Sequence, residues 1–75
     1  MEVAYKLSNR YFYIQNCEDG YDFTFYNSTW QEIDGGQLDN PEISITEAAI
    51  ELITEYFPNC HFEAIDCDYL LRMIE

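Results

Sequence analysis

The side chains best suited to chemistry in this chain are one histidine and three cysteines. His61 directly follows Cys60, and six residues separate Cys60 from Cys67. Structural zinc sites take four ligands in close pairs such as C-x2-C, which this spacing does not provide. A Cys–His nucleophile needs both side chains side by side, whereas neighbours on a strand point to opposite faces. The sequence therefore favours packed cysteines and a surface histidine over a metal site or a reactive thiol.

The 15 Asp and Glu residues could in principle act as general acids and bases. In so short a chain, however, close carboxylate pairs arise by chance. The stretch from Asp34 to Asp39 lacks the D-x-D-x-D-G order and the closing Glu of a calcium loop. Gly35 and Gly36 have no following lysine and are not a phosphate-binding loop. We therefore predict a protein that is not an enzyme, with no catalytic residue, cofactor or metal.

The charge distribution narrows the class of partner. Residues 11–71 contain 13 acidic residues and no lysine or arginine; the three cations are Lys6, Arg10 and Arg72. Nucleic acid binding gains from cations that release counterions, so direct binding to nucleic acid or anionic membrane is not expected. The chain has no apolar run long enough to span a bilayer and no signal-peptide pattern at its start. These features and the odd cysteine count predict a cytoplasmic protein with a basic protein as partner, present as a monomer or weak homodimer.

Aromatic residues supply the candidate contacts. Seven tyrosines exceed what a small core can bury, so we predict an exposed aromatic face on the sheet that docks a protein. Acidic residues beside this face and along a helix would add charge complementarity. The candidate partner-binding residues are Tyr11, Tyr13, Asp22, Tyr26, Trp30, Glu32, Glu47, Glu51 and Glu55.

The helical acids permit a second interpretation. Glu47, Glu51 and Glu55 would recur about every 6 Å along a helix, whereas a DNA strand carries a phosphate about every 3.4 Å. A DNA mimic would therefore need a second row, for which the candidates are Asp19, Asp22, Glu32 and Asp34. The alternative is an ordinary solvated helix face.

Three strands are predicted in the first half of the chain. Residues 11–17 are rich in aromatic and β-branched types, and residues 21–26 alternate apolar and polar side chains. Asp19-Gly20 between them favours a tight hairpin turn. A third strand over 30–33 should end at Gly35-Gly36, because glycine weakens a strand.

Two helices are predicted in the second half. Ser44 and Glu47 fit a capping box, and the helix should end near Phe57, before Pro58. After an extended piece over 60–65, Asp66 should cap a last helix. The buried side of that helix is predicted to be Tyr69, Leu70, Met73 and Ile74. The prediction is a single acidic α+β domain over 1–75, with a three-stranded antiparallel meander and the helices packed on one sheet face.

Three segments resemble a known group: YIQNCEDGYDFTFY at 13–26, EIDGG at 32–36 and DNPEISI at 39–45. The chain resembles small acidic domains of unknown function carried on conjugative transposons of Firmicutes, which occur alone or appended to large polyvalent proteins. The resemblance covers about residues 10 to 75. It implies a stand-alone accessory protein of a mobile element in a bacterial cytoplasm, and it brings no catalytic residue with it.

Two functions follow as expectations. The first is a non-catalytic accessory protein that binds a basic protein, with DNA-handling proteins as one candidate class, through its aromatic and acidic side chains. The second is a DNA mimic that inhibits a restriction, defence or other DNA-binding protein of the host. The arrangement of the carboxylates on the folded surface should distinguish the two functions, since a DNA mimic needs two rows of them.

Overall fold

The sheet has five strands rather than three. The computed structural model describes residues 1–39 and 41–75. Its elements, in chain order, are β1 (Glu2–Lys6), β2 (Arg10–Cys17), β3 (Gly20–Asn27), β4 (Glu32–Asp39), α1 (Ile45–Tyr56), β5 (Glu63–Ile65) and α2 (Cys67–Ile74).

All the strand pairings are antiparallel, in the order β4-β3-β2-β1-β5. The first four strands form a meander, and β5 returns to pair with β1. The fold is α+β, but the predicted three-stranded meander is wrong. Strand β1 was missed because five residues carry too little periodicity to predict a strand. Its pairing with β2 on one side and with β5 on the other supplies the backbone partners that stabilise it.

The glycine pair lies inside β4 instead of ending it. A Cβ atom on Gly35 would lie 2.9 Å from the carbonyl oxygen of Phe23, and one on Gly36 would lie 3.1 Å from the Phe23 ring. Glycine therefore occurs here because the neighbouring strand and its aromatic ring approach closely. The predicted end of the third strand at Gly35-Gly36 is wrong for this reason.

The two helices lie on opposite faces of the sheet, so their predicted placement on one face is also wrong. Phe12 and Ile14 of β2 belong to the core that contains the buried residues of α1. Tyr13, between them, packs instead with Ala4 of β1 and Leu70 of α2. Because β2 is apolar or aromatic on both faces, each face needs its own cover.

Both predicted N-caps are confirmed, and of the predicted capping box the structure shows the Ser44 half. The Ser44 hydroxyl accepts a hydrogen bond from the Glu47 backbone N–H at 3.2 Å, and the Asp66 carboxylate accepts one from the Asp68 N–H at 3.0 Å. Helix α1 ends with Phe57 as its C-cap, directly before Pro58. These local signals were readable because a cap needs only side chains within a few residues of the helix start.

The buried side of α2 differs from the prediction at two positions. Leu70 is fully buried, but Tyr69 is 45% exposed and Met73 is 44% exposed. The residues of α2 that pack on the sheet are Cys67, Leu70, Leu71 and Ile74. Both sets have helical spacing, and only the contact with Ala4 and Tyr13 decides between them.

Candidate protein-binding surface

The turn between β3 and β4 has an unusual backbone at Trp30. The Asn27 side-chain oxygen accepts hydrogen bonds from the backbone N–H groups of Thr29 (3.0 Å) and Gln31 (2.9 Å), and from the Thr29 hydroxyl (2.9 Å). Trp30 has a φ of 66°, a left-handed conformation that bulky residues rarely adopt. The Asn27 side chain thus stabilises a turn that fixes where the indole lies.

The indole joins three parts of the fold. Trp30 stacks on Tyr11 of β2, with ring centroids 3.8 Å apart and planes 21° apart. Its centroid is 6.2 Å from that of Tyr69 on α2, in an edge-to-face arrangement. Tyr11 and Trp30 are half-buried and Tyr69 is exposed, so the three rings present part of their area to solvent. We call Tyr11, Trp30 and Tyr69 the aromatic row.

The other two predicted aromatic contacts are more enclosed. Tyr26 is half-buried and lies directly across from Tyr11 in the β2–β3 register. Tyr13 is only 8% exposed, and its hydroxyl donates a hydrogen bond to the Glu2 carboxylate. Burial, followed by the hydrogen bond to Glu2, raises the pKa of the Tyr13 phenol above its ordinary value. Tyr13 therefore offers almost no surface to a partner.

Of the 15 carboxylates, 14 are exposed and one, Asp22, is half-buried. The two arginines contact groups other than carboxylates. The Arg10 guanidinium donates to the Asn9 side-chain oxygen at 2.9 Å and lies 4.5 Å from the centre of the Phe57 ring. The Arg72 Nε donates to the backbone carbonyl of Asp68 at 3.3 Å. These contacts leave the acidic surface with a strong negative field.

The predicted acids do not form one surface. Glu47, Glu51 and Glu55 are exposed on α1, which covers one face of the sheet. Asp22 lies across from Gln37, and Glu32 across from Tyr26, so both belong to the face that carries α2. Asp34 lies across from Phe25, on the α1 face. The structure therefore brings Asp22, Glu32 and the aromatic row to one face and the three helical acids to the other.

The cysteines belong to different parts of the fold: Cys60 packs against the core on the α1 side, whereas Cys67 packs against the cluster that also includes Tyr11 and Trp30. The Cys60 thiol donates to the backbone carbonyl of His61 at 3.4 Å and lies 3.8 Å from the Ser8 hydroxyl. Burial, and then the charges of Glu2, Asp66 and Asp68, raise the pKa of the Cys67 thiol. A protonated thiol is a weak nucleophile. Within 1–39 and 41–75, no group of three or more His, Cys, Asp or Glu residues is arranged to hold a metal ion.

Sequence reasoning missed two residues of the surface, Tyr69 and Asn27. Tyr69 was assigned to the buried side of α2, because its spacing fits either side of the helix. Asn27 opens an Asn-Ser-Thr run, and such residues commonly accept hydrogen bonds from the backbone just after them. That composition indicated a turn, but nothing in it indicated a left-handed Trp30.

The chain also has no helix, among the residues that the structure describes, with the length and hydropathy needed to cross a membrane. No curated protein and no solved structure matches it. The family model of large polyvalent protein-associated domain 16 matches residues 1–75. The expected relation to domains appended to large polyvalent proteins is therefore confirmed, while a conjugative-transposon origin remains a prediction. By this match over its whole length, the chain belongs to the family large polyvalent protein-associated domain 16.

Proposed function

We propose that this domain is a non-catalytic accessory module of a mobile genetic element and binds a basic, DNA-handling protein. The observation that carries the proposal is the acidic surface: residues 11–71 contain 13 carboxylates and no lysine or arginine, and all but Asp22 are exposed. Such a field accelerates encounters with a positively charged protein and opposes encounters with nucleic acid.

The aromatic row supplies the contact that charge alone cannot. Trp and Tyr side chains contribute large contact areas at low conformational entropy and dominate interface energetics. Trp30 and Tyr11 are held by stacking, and the turn that carries Trp30 is fixed by Asn27. A rigid aromatic group loses little entropy on binding. Asp22 and Glu32, on the same face, place carboxylates where arginines of a partner could pair with them.

The alternative function is a DNA mimic that inhibits a restriction, defence or other DNA-binding protein. The exposed Glu47, Glu51 and Glu55 on α1 support it. Against it, the acids expected to form a second row are divided between the two sheet faces, with Asp22 and Glu32 opposite α1. Acids spread over several faces fit electrostatic steering better than they fit the regular rows of a duplex.

The test is affinity capture with the immobilised domain from lysate of a bacterium that carries it. Two controls run in parallel: the Trp30→Ala variant, and an unrelated acidic domain of equal net charge. We expect a basic DNA-binding or DNA-processing protein that the wild type retains and both controls lose. A protein retained equally by all three would show charge capture only, and recovery of no basic protein would overturn the proposal.

Competition with duplex DNA then separates the two functions. A partner that holds DNA and this domain at once supports docking outside the DNA groove. Mutual exclusion, lost on the triple change Glu47→Gln, Glu51→Gln, Glu55→Gln but kept by Trp30→Ala, would establish the mimic instead.

A further inference from the structure

Strand β4 ends the sheet and leaves a long open edge. It spans eight residues, pairs with β3 on one side, and has every residue exposed except Leu38. An edge strand of this length presents backbone N–H and C=O groups that can pair with another chain.

The register identifies which backbone groups face outward. Cys17 and Gly20 flank a two-residue turn, so they form a hydrogen-bonded pair. Alternation along β3 then directs the backbone groups of Phe23 towards Gly36 of β4. The backbone groups of β4 that point away from the sheet are those of Gly35, Gln37 and Asp39.

One of these outward donors is already engaged. The Gly35 N–H donates to the Asp34 carboxylate at 2.8 Å, which agrees with its outward direction. The Gln37 side-chain amide donates to the Asp39 carboxylate at 3.0 Å. The edge is therefore bordered by carboxylates held close to the backbone, while the N–H groups of Gln37 and Asp39 remain directed outward.

Charge decides what can add to this edge. Glu32, Asp34 and Asp39 lie on β4, and the chain carries a net charge of −12. A second copy in β4-to-β4 pairing would bring three more carboxylates and a second net charge of −12 to this edge, and this repulsion opposes strand pairing. Asp34 lies on the α1 face, and Glu32 and Asp39 lie on the α2 face. An extended segment with lysine or arginine on both of its faces would instead meet opposite charge while it fills the open hydrogen bonds.

We propose that the open edge of β4 receives an extended basic segment of the partner protein as a sixth strand. This inference rests on the proposed function and names the mode of binding: backbone hydrogen bonds supply affinity, and Glu32, Asp34 and Asp39 select for cations. The same carboxylates that oppose self-association at this edge give the edge a preference for a basic strand.

The test uses a blocked eight-residue peptide with the repeat Lys-Lys-Thr-Thr, which places lysines on both faces of a strand, observed by amide NMR and hydrogen exchange. We expect slowed exchange, by about tenfold or more, at the backbone amides of Gln37 and Asp39. A stereoisomer with alternate D-residues has the same charge but cannot form a regular strand, so it should give no such protection. Equal shifts from both peptides, with no amide protected on β4, would overturn the proposal.

Matched variants distinguish binding of the peptide at the β4 edge from its general attraction to a negatively charged protein. Asp34→Asn removes one charge at the edge and keeps the oxygen that accepts from Gly35; Glu51→Gln removes one charge on α1. We expect Asp34→Asn to weaken binding of the peptide by about two- to fivefold, as for the loss of an exposed ion pair. Glu51→Gln should weaken that binding less. Equal effects of the two changes would contradict a specific edge site.

Gln37→Pro tests the backbone without changing the charge. Proline removes an outward N–H, and edge strands tolerate it, so the melting temperature should stay near that of wild type while the peptide binds at least about tenfold more weakly. If the variant does not fold, the amide protection in the wild type still decides.

Failure of this inference differs from failure of the proposed function. A captured partner that binds Asp34→Asn and Gln37→Pro as tightly as wild type would overturn the edge and leave the proposed function standing. Protection of β4 by the peptide, with no basic partner captured, would overturn the proposed function and leave the edge as a binding site for basic strands.

Discussion

At the scale of single residues, Asn27 and Trp30 depend on each other. A tryptophan at a φ of 66° is strained by about 1–3 kcal/mol, and the bonds that the Asn27 side chain accepts offset that strain. This backbone conformation positions the indole so that it stacks on Tyr11 of β2 and packs edge-to-face with Tyr69 of α2. The position of the indole thus depends on a polar residue outside the aromatic row.

Replacing Asn27 by alanine should therefore loosen the turn. We expect a loss of about 1–2 kcal/mol in the free energy of unfolding, since the turn loses the acceptor for three donors. The fluorescence of Trp30, the one tryptophan, should shift to the red as the ring leaves Tyr11. Urea unfolding and emission spectra measure both effects. Ser28→Ala, at the exposed neighbouring position, is the matched control; equal effects of the two changes would contradict the role of Asn27.

Tyr13 gives a prediction about alkaline pH. Its pKa is raised from 10.0, chiefly by burial and then by the hydrogen bond to Glu2. The folded state favours the neutral phenol, so this stabilisation is fully present below about pH 10. It is lost as the pH rises from 10 through the folded pKa, because the unfolded chain releases its proton first.

Urea unfolding between pH 7 and 11 should show stability falling above about pH 10, less steeply in Tyr13→Phe than in wild type. Burial raises the pKa values of Cys67 and Tyr26 as well, so some of the fall should persist in the variant. A wild-type slope in Tyr13→Phe would contradict the assignment.

At the scale of elements, the close contact between β3 and β4 determines the composition of β4. The Phe23 ring occupies the space beside Gly36, and the Phe23 carbonyl oxygen occupies the space beside Gly35. A ring can shift by a few tenths of an ångström, whereas a backbone oxygen in a hydrogen-bonded ladder cannot do so without moving the strand.

Alanine at Gly35 should accordingly destabilise the fold more than alanine at Gly36. We expect Gly35→Ala to lower the free energy of unfolding by about 1–3 kcal/mol, and Gly36→Ala to lower it by less, as measured by urea unfolding. Gln37→Ala, at the next exposed position of the same strand, should have a small effect. The reverse order of the two glycine changes would show that the Phe23 ring, and not its carbonyl, sets the strand spacing.

Elements stabilised by local interactions were predictable from sequence, and those stabilised by distant ones were not. The caps of Ser44 and Asp66 depend on neighbours within a few residues, and so does the first hairpin. Its two-residue turn is Glu18-Asp19, one residue before the predicted Asp19-Gly20. Strand β1 depends on β2 and β5, and the glycines of β4 on Phe23. The α2 face of the sheet shows the same limit: Tyr11, Tyr13 and Tyr26 were predicted to be exposed, and α2, whose docking no local pattern signals, buries Tyr13.

At the scale of the whole molecule, the acidic surface and the core are separated completely among the described residues. The residues of the core are all hydrophobic, and no buried residue is charged. The negative field therefore does not shape the packing; it acts from outside as self-repulsion across a body of 31 × 29 × 19 Å. The sign of this field follows from composition and can therefore be read from the sequence. The division of the acids between the two sheet faces depends on the fold and could not be predicted in the same way.

Salt should therefore stabilise the fold. The screening length is about 30 Å at 0.01 M salt, comparable to the whole molecule, and about 8 Å at 0.15 M. The melting temperature should rise steadily from 0.01 to 0.5 M sodium chloride, a salt chosen because sulfate would strengthen apolar burial by itself. The double change Glu51→Gln, Glu55→Gln reduces the net negative charge from −12 to −10 and leaves Glu47 at the start of α1, where an acid is favourable. Its melting temperature should therefore start higher in dilute salt and rise less. Because both side chains are exposed on α1, a loss of packing would not mimic this result. A melting temperature that stays flat with salt in the wild type would mean that the carboxylates are neutralised within the fold, and such a surface would not attract a basic partner.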